Sequence, residues 1–115
     1  MTYIVLHNPS CSTSRKGLEA LDAVGVAYDV RKYMNAGEAL TEAELRDIAA
    51  KMGVDSPRAF LRDKDARKFE LPDTATDDEV YAAMADNPRL IQRPIGMNGD
   101  KAVLGRPPEK LVEIR

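Results

Sequence analysis

The chain has 115 residues, of which 43% are hydrophobic and 31% charged, so we expect one soluble globular domain. The 17 Lys and Arg residues against 19 Asp and Glu give a net charge of -2, which argues against nucleic-acid binding through bulk positive charge. The longest apolar run, Tyr3–Leu6, is far shorter than the about 20 residues of a membrane span, and it lacks the features of a signal peptide. We therefore predict a cytoplasmic protein with neither a nucleic acid nor a membrane as partner.

The chain contains one cysteine, Cys11, and one histidine, His7. A single cysteine excludes an intramolecular disulfide, and these two residues supply too few soft ligands for a Cys-rich metal site. We therefore predict a reducing compartment, no metal and no bound cofactor. The thiol of Cys11 is then either an inert packed side chain or a nucleophile.

The N-terminal segment predicts a β-α-β unit. Tyr3–His7 is typical of a buried strand, and the Asn-Pro pair that follows predicts a turn. A helix beginning at Ser12 or Ser14 and ending at Gly25 has apolar residues at every third position. Apolar and charged residues alternate in Ala27–Tyr33, which predicts a second strand, parallel to the first through a right-handed crossover.

The middle of the chain, about residues 36 to 87, predicts helices throughout. Capping boxes begin at Thr41 and Thr76, each with a glutamate three residues later that can satisfy the threonine's backbone amide. A Ser56-Pro57 pair opens a further short helix between them.

The C-terminal part predicts strands again. Pro94–Met97 and Lys101–Leu104 flank an Asn-Gly turn, which is typical of a β-hairpin. A Pro-Pro pair then predicts a short terminal helix with Leu111, Val112 and Ile114 on its inner side.

This order of elements predicts an α/β protein with a thioredoxin-like core, in which a β-α-β half and a β-β-α half share a four-stranded mixed sheet. We predict a single domain over residues 1–115, with the core at 1–35 and 88–115 and the helical insert between them. Thioredoxin-like folds place a cis-proline beside the helix start at the active site. We therefore predict a cis Arg93–Pro94 bond, although only about 5–6% of X–Pro bonds are cis.

Cys11 lies between the first strand and the first helix, in the polar segment 8–15, where backbone amides favour a thiolate. The helix dipole contributes only roughly 0.3–1 kcal/mol, less than one pKa unit. His7 and Arg15 could lower the pKa further, although local packing explains His7 equally well and helix capping explains at least one residue of Ser12–Ser14. A polar loop is a poor place for an inert thiol, so we predict a nucleophile that acts on an oxyanion.

Four segments of the chain carry a resemblance to a known family: Tyr3–Arg15, Arg58–Arg62, Asn87–Ile95 and Leu104–Pro108. The first contains His-Asn-Pro-x-Cys-x-x-Ser-Arg and resembles the active-site segment of the glutaredoxin-dependent arsenate reductases, a family related to Spx. The other three are similar to later segments of that family in the same order. The resemblance covers nearly the whole chain and implies a thioredoxin-like core with an inserted helical region.

The resemblance also implies roles for individual residues. In that family a cysteine thiolate attacks arsenate, which implies that Cys11 is the catalytic residue. The arginines that match the family's oxyanion-binding residues are Arg62, Arg93 and Arg106. The residues that match its thiolate-tuning positions are His7, Ser14 and Arg15. A guanidinium suits arsenate because it is always charged and forks onto two oxygens, whereas we expect Arg58, Arg67 and Arg89 to be solvated surface charges.

The reaction that the resemblance implies is the reduction of arsenate to arsenite. Cys11 forms an arsenate adduct, glutathione acts as co-substrate, and glutaredoxin resolves the mixed disulfide. The chain has no second cysteine that could resolve the mixed disulfide, and Ser14 occupies the position where a redox dithiol would have its second sulfur.

Two alternative functions share this fold. Spx-like transcriptional regulators bind RNA polymerase, and many carry a Cys-x-x-Cys switch that Cys11–Ser14 lacks. The presence of Arg62 and Arg106 also favours the enzyme. The other alternative is a glutathione-linked thiol protein without arsenate activity, which an arsenate-dependent assay would distinguish.

Overall fold

The structure, a computed structural model, describes residues 2–115, so Met1 of the predicted core lies outside the described residues. One sheet contains all four strands: β1 (Tyr3–Leu6), β2 (Tyr28–Arg31), β3 (Ile95–Asn98) and β4 (Lys101–Leu104). The strand order is β2-β1-β3-β4, in which β1 and β2 are parallel and the other two pairs antiparallel. This mixed sheet confirms the predicted thioredoxin-like α/β fold.

The described residues also form four α-helices: α1 (Ser12–Ala23), α2 (Glu42–Met52), α3 (Asp63–Lys68) and α4 (Asp77–Asp86). Short 3₁₀ helices are Ala36–Glu38, Pro57–Phe60, Pro88–Leu90 and Pro108–Ile114. Both predicted capping boxes are confirmed, at Thr41 before α2 and at Thr76 before α4. Within residues 2–115, none of the helices has the length and apolar character that a membrane crossing requires.

The sheet has one hydrophobic cluster on each face, because successive side chains of a strand point to opposite sides. On one face, Tyr3 and Val5 pack with Leu21 of α1 and with Leu111 of the C-terminal 3₁₀ helix. On the other face, Leu6 and its partner in β3 pack with buried residues of α2, α3 and α4. Since the insert shares this cluster with the sheet, we propose that core and insert form one domain.

The expectation of helices throughout residues 36 to 87 is wrong in two places. Residues 69–76 contain no helix, and the chain is extended at Leu61, which forms an antiparallel bridge with Ile91. The amide of Arg62 donates to Leu90 O at 2.8 Å, and the amide of Gln92 donates to Phe60 O at 2.8 Å. These bonds join the insert to the segment that leads into β3, and they place Arg62 close to Arg93.

The expected alternation in the second strand holds for Tyr28 and Asp29 but is wrong at Val30 and Arg31. β2 is an edge strand in which the Val30 side chain faces solvent, whereas Arg31 is partly buried. The guanidinium of Arg31 forms an ion pair with Glu44 of α2 and donates to the carbonyl oxygens of Glu38 and Ala39. These partners replace the water that a solvated arginine would contact, so a charged residue takes the inner position.

Gly96 of β3 provides a test of the packing between the sheet and the C-terminal 3₁₀ helix. A Cβ atom at this position would overlap the hydroxyl of Tyr3, which donates to Leu111 O, and would lie 3.0 Å from Leu111 Cδ2. We expect Gly96→Ala to lower the free energy of unfolding by about 1–3 kcal/mol, measured by urea denaturation. Gly37→Ala is the matched control, because a Cβ there meets nothing within 4 Å. Equal stability of the two variants would contradict this packing.

Candidate active site

Cys11 occupies the N-cap position immediately before α1, as the sequence predicts. A tight turn leads to it: the amide of Ser10 donates to Asn8 Oδ1 at 3.0 Å, and the amide of Cys11 donates to Asn8 O at 3.0 Å. Arg15 Nη1 donates to Pro9 O at 2.8 Å and so braces the same loop from the helix. Local hydrogen bonds therefore fix the loop that carries the partly exposed thiol, and this loop lies at the positive end of α1.

Beneath this loop, three buried polar residues form a hydrogen-bonded chain. His7 Nδ1 and Ser14 Oγ lie 2.7 Å apart, and the amide of Asn8 donates to the same oxygen at 3.1 Å. Burial lowers the pKa of His7, and the charges of Lys32 and Arg15 lower that pKa further. The lowered pKa disfavours the charged form of His7, and its hydrogen bond with Ser14 joins it to the loop that carries Cys11.

The pKa of the Cys11 thiol is lowered overall. Burial raises this pKa, but hydrogen bonds from the Ser14 amide, the Arg93 side chain and the Thr13 amide, together with the charge of Arg93, lower it by more. The predicted direction is thus confirmed. The stabilising groups are two amides of α1 and one distant arginine, whereas the guanidinium of Arg15 is bonded to Pro9.

Two of the predicted arginines lie beside the sulfur although they follow it by more than eighty positions. Arg106 Nη2 lies 3.8 Å from Cys11 Sγ, and Arg106 Nε donates to Arg93 O at 2.9 Å. Arg93 is buried, with 7% of its surface exposed, and its Nε and Nη1 have no hydrogen-bond partner within residues 2–115. The Arg93–Pro94 peptide bond is cis, as predicted, and the Arg106–Pro107 bond is also cis, which the sequence analysis missed.

A polar cleft of about 420 Å³ opens beside the Cys11 loop. The residues that line it are Asn8, Pro9, Ser10, Met34, Asn35, Arg62, Asp65, Arg89 and Arg93. Arg62, the third predicted arginine, is in this cleft next to Arg93, and its Nη1 donates to the buried carboxylate of Asp65 in α3. The structure therefore brings Arg93 and Arg106 to the sulfur and places Arg62 in the adjoining cleft.

Tyr33 is a residue of this region that the sequence analysis missed as part of the site. Its side chain is fully buried, and its hydroxyl donates to Ile91 O at 3.1 Å. Burial raises the pKa of Tyr33 to about 12, although Arg93 opposes that shift. The hydroxyl stays protonated and is close enough to Arg93 for the two groups to influence each other.

These groups suit a tetrahedral oxyanion. A thiolate would repel an anion unless positive charge surrounds the contact, and here two guanidinium groups and the amides of a helix start lie around the sulfur. Among residues 2–115, no group of three or more His, Cys, Asp and Glu side chains could hold a metal ion. The arrangement can therefore bind an oxyanion and attack its central atom with sulfur.

The family model described as the ArsC family matches residues 6–114. The chain belongs to the ArsC family. A protein of Haemophilus influenzae named arsenate reductase is 38% identical, and the match covers 99% of each chain. An arsenate reductase of Neisseria meningitidis is 39% identical over 93% of this chain and 92% of that protein. The solved structure of an arsenate reductase from Vibrio cholerae superposes with a TM-score of 0.90 at 37% identity, covering 100% of this chain and 98% of that one.

The lowered thiol pKa of this ArsC-family protein leads to a test by alkylation. We expect the rate of reaction of Cys11 with iodoacetamide to rise with pH with a midpoint below the free-thiol value of about 8.5. Only the thiolate reacts, so reactivity is lost as the pH falls through that midpoint, which lies at lower pH than for a free thiol. Glutathione under the same conditions is the control. A midpoint equal to that of glutathione would contradict an activated nucleophile.

Proposed function

We propose that this protein is an arsenate reductase that converts arsenate to arsenite. The observation that carries the proposal is the buried guanidinium of Arg93, which has two unpartnered nitrogens and stabilises the thiolate of the only cysteine. Buried guanidinium nitrogens without hydrogen-bond partners are costly, and the oxygens of an arsenate held beside the sulfur would supply those partners. The names of the relatives in Haemophilus, Neisseria and Vibrio agree with this activity.

In the first step, the sulfur of Cys11 forms a bond to As(V), and one arsenate oxygen takes up protons and leaves as water. Arg93 and Arg106 offset the negative charge of both reactants around the sulfur. We propose that Arg62 binds a further arsenate oxygen from the cleft, and that His7, Ser14 and Arg15 keep the loop in the shape that exposes the thiolate. Arsenic is not yet reduced in this adduct.

Reduction needs two electrons, which two thiols can supply. We propose glutathione as the second thiol: it adds to the adduct, the bond between Cys11 and arsenic breaks with its electron pair left on arsenic, and a disulfide joins Cys11 to glutathione. Arsenite leaves as As(III). Glutaredoxin then attacks the glutathione sulfur and releases the Cys11 thiolate. Because glutathione keeps thiols reduced in the cytoplasm, we propose that the protein acts in that compartment.

The test is a coupled assay with glutathione, glutaredoxin, glutathione reductase and NADPH. We expect NADPH oxidation that depends on arsenate and on each of the two thiol components. Phosphate in place of arsenate is the control, because its central atom is not reduced by thiols. Absence of arsenate-dependent oxidation would contradict the proposal and favour a regulator or a glutathione-linked thiol protein.

A further inference from the structure

The cleft beside Cys11 is larger than one oxyanion needs. Its volume of about 420 Å³ falls in the range of roughly 300–1,000 Å³ that is typical of sites for small organic ligands. A tetrahedral anion built on a single central atom fills only a small part of that space. If the proposed function is correct, the remaining space is available to the second thiol, which must reach the same sulfur.

One of the positively charged residues that line the cleft has no part in the proposed oxyanion site. Arg62 is paired with Asp65, and Arg93 stabilises the thiolate. The guanidinium of Arg89 has no hydrogen-bond or ion-pair partner within residues 2–115, and only the backbone amide of this residue is bonded, to Asn87 Oδ1. Arg89 therefore contributes an exposed, unpaired positive charge to the rim of the cleft. The sequence analysis expected a solvated surface charge that belongs to no site.

The remaining walls of the cleft suit a peptide. Asn8 and Ser10 form the side next to Cys11, and Asn35 and Met34 contribute a polar and an apolar group. Amide and hydroxyl groups can bond the amides of a short peptide, and the thioether can contact its methylene groups. A ligand in this cleft would lie against the loop that carries the reactive sulfur.

We propose that the cleft is the subsite for the thiol co-substrate, a peptidic thiol with carboxylate groups, and that Arg89 binds one of those carboxylates. This inference rests on the proposed function, since it assigns a place to the second thiol of that reaction. Arg89 is then a specificity residue: it selects a thiol that carries a carboxylate over an uncharged thiol of similar reactivity.

The experiment compares two disulfides in the absence of arsenate. The Cys11 thiolate attacks glutathione disulfide to form a mixed disulfide and release glutathione, and it attacks the uncharged hydroxyethyl disulfide in the same manner. Mass spectrometry gives both rates. We expect the ratio of the glutathione rate to the hydroxyethyl rate to fall up to about 5-fold in Arg89→Ala, the effect of losing one exposed ion pair. Arg89→Glu should lower the ratio further, and Arg89→Lys should largely preserve it.

Arg67→Ala is the matched control, because Arg67 is exposed, as Arg89 is, but lines a different cleft whose lining does not include the Cys11 loop. Its ratio should equal that of the wild-type protein. An unchanged ratio in Arg89→Glu overturns the subsite, as does equal slowing with both disulfides, which would mean that Arg89 acts on the thiolate itself. A change confined to the KM for glutaredoxin also overturns it, in favour of a docking contact.

The ratio also separates this inference from the proposed function. If the coupled assay shows no arsenate reduction but the ratio falls in Arg89→Ala, the carboxylate subsite is correct and the arsenate activity is wrong. If arsenate reduction is present and the ratio does not change, the arsenate activity is correct and the subsite is wrong.

Discussion

Replacing Cys11 with serine should abolish arsenate-dependent NADPH oxidation while leaving the fold intact. Cys11 is the only thiol in the chain, so no other side chain can form the arsenic–sulfur bond or the later disulfide. A serine hydroxyl is not ionised near neutral pH, and oxygen cannot take part in thiol–disulfide exchange. The variant should therefore lack both halves of the reaction.

The fold should tolerate this change because the side chain is partly exposed and its side-chain contacts are with the polar groups of Arg93 and Arg106, the latter at 3.8 Å. We expect the urea midpoint of Cys11→Ser to lie close to that of the wild-type protein. Circular dichroism and urea denaturation provide this control. Turnover in a correctly folded Cys11→Ser protein would contradict the assignment of the nucleophile.

The features that the sequence predicted well are set by neighbours along the chain. The strand, the Asn-Pro turn and the helix that begins after Cys11 are encoded within a short segment, as are the capping boxes at Thr41 and Thr76. The β3–β4 hairpin follows from its Asn-Gly turn. The residues that set where such elements begin, turn and end are close together in the sequence, so a single sequence suffices to predict them.

The features that were missed depend on contacts between distant segments. The bridge between Leu61 and Ile91 places Arg62 in the cleft, and no local sequence pattern predicts that bridge. Nothing in the sequence around Arg89 distinguishes it from a surface charge, and only the fold places it at the same cleft. The burial of Arg31 likewise needs its partner Glu44, which the pattern of β2 alone does not contain.

The resemblance to a known family identified the arginines expected to bind the oxyanion, which local patterns could not do. It selected Arg93 and Arg106, and the structure places both beside the sulfur. For the thiolate, the sequence analysis expected help from the α1 amides, His7 and Arg15. The amides of Thr13 and Ser14 do lower the pKa of Cys11, and Arg93 lowers it as well, which the sequence analysis did not expect. Proximity along the chain therefore identified the amides that stabilise the thiolate but not the contribution of Arg93.

Arg93 should be the arginine whose loss costs most, and Arg93→Met is the sharpest test because methionine fills similar space without charge. Loss of one preorganised oxyanion donor typically costs about 10²-fold in turnover, so we expect kcat/KM for arsenate to fall by about that factor. Arg93→Lys should recover only part of the activity, since an ammonium cannot fork onto two oxygens. Arg67→Ala, which alters a different cleft, should remain near wild-type activity.

Two further measurements distinguish this loss from unfolding. Arg93 lowers the pKa of Cys11, so the alkylation midpoint of Arg93→Met should shift to higher pH. The guanidinium is also buried with two nitrogens that have no hydrogen-bond partner within residues 2–115, and burying a polar group without such a partner costs stability, which an apolar side chain of similar size avoids. We therefore expect the melting temperature of Arg93→Met to equal or exceed that of the wild-type protein. A lower melting temperature with an unchanged alkylation midpoint would mean that Arg93 is a structural residue and not part of the oxyanion site.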